Sequence, residues 1–170
     1  MSKEKSDFPI FTGVFLVHPS ILEGSPAWGL SKFHITWNYN PGDPTFPSDV
    51  LGGDFTKIEH LGIYIDDDII TSHVAISTPN GRMRHQADSE TPLHITWSSG
   101  DKAPVEAGKS LRNYFNGHDM AGTYTEMKEV YDIGFGELSI IEKTKYENIL
   151  NAFHPIGMWY RQHSPRKVKN

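Results

Sequence analysis

Two short segments of the chain carry the same combination of histidine and threonine. The tetrapeptide His34-Ile35-Thr36-Trp37 recurs unchanged at residues 94–97. Histidine and tryptophan are uncommon residues, so this match is harder to obtain by chance than a match of leucine and alanine. Because side chains alternate between the two faces of a strand, each copy is expected to place its histidine and threonine on one face and its isoleucine and tryptophan on the other.

Two imidazoles with two hydroxyls suit hydrolysis or transesterification of a phosphodiester without a metal ion. An unperturbed imidazole titrates at about pH 6.5, so a neutral ring can take a proton from water while a charged ring gives one to the departing oxygen. Threonine hydroxyls can donate hydrogen bonds to the non-bridging phosphate oxygens, where negative charge develops. The spacing alone leaves open which histidine is the acid.

The paired tetrapeptides resemble the two His-x-Thr-x motifs of the 2H phosphoesterase superfamily. That superfamily includes 2′,3′-cyclic phosphodiesterases of RNA repair and phage nucleases that destroy cyclic-nucleotide alarm signals. The resemblance implies an α+β fold in which two antiparallel sheets face a central cleft and helices pack on the outside. It also implies a single domain over residues 1–170 with two pseudo-symmetric lobes. The tryptophan that ends both motifs is bulkier than the aliphatic residue usual there.

The resemblance implies that the catalytic residues are His34, Thr36, His94 and Thr96. By the same resemblance, His34 is assigned as the acid toward the leaving 3′ oxygen and His94 as the base toward water, while the threonines anchor the phosphate. The expected activity is a metal-independent phosphodiesterase that opens 2′,3′-cyclic phosphates to 2′-phosphates. Two alternatives stay open: cleavage of cyclic di- or oligonucleotides or 2′-5′-linked signalling nucleotides, and a non-catalytic nucleotide-binding module.

Residues near the two motifs are candidates for holding the substrate. Arg82 and Arg84 lie in a turn-rich loop before the second motif, and Lys102 follows that motif on a Gly-Asp turn. Nucleobases stack on flat side chains, and several aromatic residues that the motifs do not need can supply them. The candidates of this kind are Phe15, Trp28 and Trp159.

The composition narrows the class of protein. The chain of 170 residues has no cysteine, which excludes disulfides, a cysteine-ligated zinc site and a thiolate nucleophile, and favours the cytoplasm. Its 16 basic and 21 acidic side chains give a net charge of −5, which argues against binding of long duplex nucleic acid. The apolar runs are too short to span a membrane. The expected partner is a small nucleotide or an RNA end, and the oligomeric state is not indicated.

A metal site would have to combine the motif histidines with His60, His73 or His85. These residues lack the spacing typical of metal ligands, since Glu59 and His60 are adjacent and no His-x-His or His-x-x-x-His pattern occurs near the motifs. We therefore expect neither a metal nor another cofactor. His60 and His73 are expected to be structural or exposed.

Short β-type runs dominate the sequence and position the two motifs. Strands are predicted over residues 11–17, 33–39, 58–65, 69–78, 93–98, 124–131 and 137–142. The acidic triplet at residues 66–68 predicts a hairpin turn. Helices are predicted over residues 105–116 and from a capping box at Thr144 and Glu147 to Phe153, whereas residues 1–7 and 162–170 are expected to be flexible.

Overall fold

The computed structural model describes residues 8–17, 30–67, 69–87, 89–103, 105–117, 122–132 and 138–163. Its strands are β1 (Pro9–Val17), β2 (Leu30–Tyr39), β3 (Phe55–Asp66), β4 (Ile69–Thr78), β5 (Gly81–Met83), β6 (His94–Ser99), β7 (Thr123–Glu126) and β8 (Ile156–His163). Its helices are α1 (Val105–Phe115), α2 (Met127–Asp132) and α3 (Ile140–Ala152). None of these helices is long and apolar enough to cross a membrane.

Six of the strands close into an antiparallel barrel. Their order is β4, β6, β2, β1, β8 and β3, and β3 pairs back with β4 to complete the ring. Outside the ring, β5 extends the edge of β4 and β7 extends the edge of β3. In a closed ring each strand is hydrogen-bonded to a neighbour on both sides. Closure therefore removes the exposed edges that an open sheet would leave.

The barrel interior holds the main hydrophobic core. Ile35 and Ile95, one from each motif, are fully buried there, as is Trp159 of β8. The indoles of Trp37 and Trp97 pack against the same core. Because side chains alternate along a strand, the histidine and threonine of each motif face the outside of the barrel.

The expectation of a mixed α and β fold with antiparallel strands is confirmed. The described strands do not form the expected pair of sheets. They belong to one continuous sheet that closes on itself, so no cleft between two facing sheets is present in the described part of the chain. The physical reason is the pairing of β8 with both β1 and β3, which joins the first and later parts of the chain into a ring.

Strand β8 is absent from the strands predicted from the sequence, and its last two residues fall in the segment predicted to be flexible. Gln162 pairs with Phe11 and His163 pairs with Pro9, so the end of β8 is held by β1. Residues 1–7 and 164–170 lie outside the described residues. The predicted strand over residues 124–131 is also wrong in part, because the chain turns from β7 into α2 at Met127.

Helix α3 begins earlier than predicted. Ser139 caps it, since the Ser139 hydroxyl accepts a hydrogen bond from the Glu142 amide at 3.2 Å and the Glu142 carboxylate accepts one from the Ser139 amide at 3.1 Å. This capping box lies in the stretch predicted as a strand at residues 137–142, so that prediction is wrong for the residues of α3. The Thr144 hydroxyl instead donates to the Ile140 carbonyl at 2.8 Å within the helix.

His60 packs against the barrel core as an uncharged side chain. Its ring stacks on Phe153 with centroids 4.4 Å apart, and its Nε2 is buried without a hydrogen-bond partner in the described part of the chain. Burial disfavours the charged ring and lowers the pKa of His60 to about 4. The expectation that this histidine is structural is confirmed.

The buried histidines should make the protein less stable in mild acid. Burial also lowers the pKa of His73 to about 4, with Arg84 adding to the shift. Between about pH 6.5 and pH 4 the unfolded chain therefore binds protons that the folded chain does not, so the free energy of unfolding falls as the pH falls. In wild type the free energy of unfolding should fall on acidification, and we expect His60→Leu to reduce that fall by on the order of 2 kcal/mol. Urea titrations at successive pH values measure the difference. His85→Leu, at an exposed position, is the control, and an unchanged pH dependence in His60→Leu would contradict this assignment.

Candidate active site

The two motifs lie on neighbouring strands and on the same face. Ile35 of β2 is the antiparallel partner of Ile95 of β6. This register sets Thr36 opposite His94 and His34 opposite Thr96, so the four side chains form a two-by-two group on the outside of the barrel. We call these four residues the motif patch. Residues opposite each other on such a pair have Cβ atoms about 5 Å apart, and diagonal ones about 7 Å, which is within reach of one phosphate group.

His94 is held with one ring nitrogen committed to the backbone. Its Nδ1 lies 2.7 Å from the Pro92 carbonyl oxygen, which can only accept, so Nδ1 carries the proton and the neutral ring has its lone pair on Nε2. Burial lowers the pKa of His94, the Pro92 hydrogen bond opposes this shift, and the nearby His34 adds to it. The neutral ring is therefore favoured near neutral pH, which suits a general base.

His34 is oriented by aromatic rings on the adjacent strand. Its ring stacks on Phe11 at 5.0 Å and on Phe15 at 4.9 Å between centroids, with 24° between the planes in both pairs. Phe15 is the register partner of His34 across β1 and β2. Phe15 was predicted to contact a nucleobase, but it is only 9% exposed and its ring packs against Phe11, His34 and Tyr160. The structure therefore supports a positioning role for Phe15.

Helix α1 covers the second motif. A Cβ atom built at Gly108 would lie 2.8 Å from Cε1 and 3.0 Å from Nε2 of His94, so the ring edge rests against the backbone of the helix. Only glycine leaves room for this approach. The motif patch is thus not an open cleft. Helix α1 covers His94, whereas His34 lies beside β1.

Gly108→Ala should disturb His94 more than it helps the helix. Alanine in a helix interior is favoured over glycine by about 1 kcal/mol, but here the added methyl group would push against a ring that is fixed by Pro92. We expect the ring to shift and phosphodiesterase activity to fall at least about tenfold, since displacements of about 1 Å at a reacting group have such effects. Lys109→Ala, at an exposed neighbouring position of α1, is the matched control. Wild-type activity in Gly108→Ala would show that the contact is not needed.

A cavity of about 440 Å³ lies near the second motif, with Pro92 and His73 in its wall. Arg84 and His85 of the loop before the second motif line it, and so does Arg112 of α1. The predicted contact of Arg84 with substrate stays a prediction. Pro92, whose carbonyl holds His94, also forms part of the wall. Pro92 thus belongs both to the cavity wall and to the surroundings of His94, although His94 itself does not line the cavity.

His73 joins the cavity to the motif patch, and the sequence analysis did not assign it a role in the site. It is the register partner of His94 across β4 and β6, and it lines the cavity. Its Nδ1 lies 2.9 Å from the hydroxyl of Tyr124, whose pKa is raised to about 12 by burial. Strand alternation is the signal that could have revealed His73. It places His73 on the outward face of β4, the same face of the sheet as the motif histidines.

The other residues predicted to hold the substrate are Arg82, Trp159, Lys102 and Trp28. Arg82 pairs with Glu59 at 2.8 Å on the barrel exterior and does not line the cavity. Trp159 is fully buried in the barrel core, so its predicted contact with substrate is wrong. Lys102 is exposed beyond β6 and stays a prediction, and Trp28 lies outside the described residues.

Comparison with known proteins adds no relative: no family model, no curated protein and no solved structure matches this chain. Within the described residues, no group of three or more histidine, aspartate or glutamate side chains is arranged to hold a metal ion. The function of the protein therefore has to be inferred from the residues of the site.

Proposed function

We propose that the protein is a metal-independent phosphodiesterase acting on nucleotides, with His34 and His94 as its acid and base. The observation that supports this best is the register of β2 and β6, which gathers the motif patch on one face of two neighbouring strands. Two independent segments of the chain thus bring the same pair of functional groups together. A structural role for each motif alone would not require this arrangement.

The state of the His94 ring fits its assignment as the base. His94, whose lowered pKa favours the neutral ring, takes a proton from water through Nε2 as the water oxygen attacks phosphorus. The bond from phosphorus to the 3′ oxygen breaks, and His34 gives its proton to that oxygen. The hydroxyls of Thr36 and Thr96 donate to the non-bridging oxygens and stabilise the added negative charge. A 2′,3′-cyclic phosphate would leave as a 2′-phosphate.

The relation to the 2H phosphoesterase superfamily is part of this proposal and rests on the two motifs. The closed barrel differs from the expected pair of lobes with a central cleft, so the overall architecture does not add to the argument. The proposal includes a cytoplasmic enzyme without a cofactor, whose substrate is a small nucleotide or an RNA end.

A nucleotide-binding module without turnover is the second candidate, and the cover over His94 favours it. Nε2 of His94 faces the backbone of α1 at Gly108, which restricts how a water molecule can approach the ring. A module of this kind would use the same motif patch to hold a phosphate. Binding and turnover must therefore be measured separately.

The experiment is incubation of the purified chain with a panel of cyclic nucleotides in excess EDTA, followed by product analysis by mass and by phosphate position. The proposal expects a 2′-phosphate or an opened oligonucleotide that accumulates despite the chelator. Tight binding by calorimetry without product would support the module. Activity that requires an added divalent ion would overturn the acid-base account.

A further inference from the structure

The cavity near the second motif is lined by more positive than negative charge. Arg84 and Arg112 both line it, and His85 adds an imidazole to the wall. In the described part of the chain, Arg84 forms no ion pair with a carboxylate. The acidic side chain in the wall, Glu90, is 80% exposed and lies 3.6 Å from Arg112. Arg84 is thus left to attract an anion from solution.

The charge environment of His73 agrees with this reading. After burial, the largest influence that lowers the pKa of His73 is the positive charge of Arg84. The Nδ1 atom of His73 lies 2.9 Å from the Tyr124 hydroxyl, so this ring nitrogen is committed to a hydrogen bond within the protein. The guanidinium groups of Arg84 and Arg112 supply the hydrogen-bond donors in the wall that suit a phosphate.

The cavity and the motif patch share parts of their framework. Pro92 lines the cavity and fixes His94 through its carbonyl, and His73 lines the cavity and pairs with His94 across the sheet. A volume of about 440 Å³ exceeds what one phosphate group occupies and lies in the range of small-molecule sites. The four residues of the motif patch do not line the cavity themselves, so a ligand of both sites has to extend past Pro92 and His73 to bring a second phosphate to Arg84.

We propose that this cavity binds a second phosphate group of the substrate. The substrate class is then a nucleotide with at least two phosphate groups, such as a 5′-phosphorylated end, a dinucleotide or a cyclic dinucleotide, instead of a cyclic mononucleotide alone. This inference rests on the proposed function for the identity of the scissile phosphate. The cavity itself can be tested without turnover.

The test compares two probes by isothermal titration calorimetry near neutral pH: adenosine 2′,3′-cyclic phosphate with a 5′-hydroxyl, and the same nucleotide with a 5′-phosphate. We expect the second probe to bind at least about tenfold more tightly, as an arginine-phosphate contact gives. Arg84→Gln and Arg112→Gln should each remove most of this preference. Arg82→Gln is the matched control, because Arg82 is a nearby arginine that lies outside the cavity, and it should keep the preference.

The outcomes separate the cavity from the catalytic proposal. Equal affinity for the two probes, no binding of either, or a preference that survives Arg84→Gln would overturn the cavity as a phosphate site. A preference that depends on Arg84 without hydrolysis of either probe would support the cavity and contradict the enzyme. Circular dichroism of each variant checks that the fold is retained, and Arg84→Lys, which keeps the charge, should restore part of the preference.

Discussion

Alanine in place of either His34 or His94 should lower kcat/KM for a cyclic nucleotide by about 10²- to 10⁴-fold, because each ring transfers one of the two protons of the reaction. The double variant should be little worse than the more damaged single variant, since residues that act as a unit do not contribute additively. Initial rates in excess EDTA, measured with the best substrate of the panel, give the comparison.

Two further variants separate chemistry from structure in this test. His94→Gln keeps a group that can donate to the Pro92 carbonyl but cannot act as a base, so it should be as inactive as His94→Ala while folding normally. His85→Ala removes a histidine of the cavity wall that takes no part in proton transfer, and should retain more activity than any motif variant. Near-normal turnover by His34→Ala or His94→Ala would exclude the paired roles.

Gly13→Ala should be among the most destabilising single substitutions, at about 3 kcal/mol. A Cβ atom at this position would overlap the carbonyl oxygen of Ile35 and lie 3.1 Å from Cα of Thr36. Gly13 follows a register shift in the pairing of β1 with β2, where the two backbones approach closely beside the first motif. The contact is with backbone atoms, so a change of rotamer cannot relieve it.

Urea denaturation of wild type, Gly13→Ala and Gly53→Ala measures this effect. Gly53 has no atom within 4 Å of its would-be Cβ but has a φ of +96°, so alanine there should cost only about 1 kcal/mol of backbone strain. Equal losses at the two positions would mean that the close approach of β1 and β2 does not constrain the barrel.

The local pattern of the sequence predicted the parts of the site that depend on strand parity. Period-2 alternation predicted that the isoleucine and the histidine of each motif lie on opposite faces, and Ile35 and Ile95 are buried in the barrel. It also located most of β1, β2, β3, β4 and β6. These features follow from the geometry of one strand and need no knowledge of its neighbours. The hairpin at the acidic triplet is of the same kind, since β3 pairs directly with β4.

Features that depend on distant pairing could not be predicted from the sequence. Closure of the ring requires β8 to pair with β1 and β3, which are far away along the chain, and no local signal specifies those partners. The same holds for the contact of Gly108 with His94 and for the presence of Arg112 and Arg84 in one cavity wall. Both arise only when α1 packs on β4 and β6. Trp159 was misassigned because its aromatic type is equally suited to a binding surface and to a core.

The most direct test of the acid-base pair is the dependence of kcat/KM on pH, measured in EDTA under single-turnover conditions. One imidazole must be neutral and the other charged, so the profile should be bell-shaped. Because the pKa of His94 is lowered, the acidic limb should have its midpoint below about pH 6.5, and activity should decline on the alkaline side as His34 loses its proton. A profile that stays flat between about pH 5 and 8 would contradict two titrating imidazoles at one phosphate.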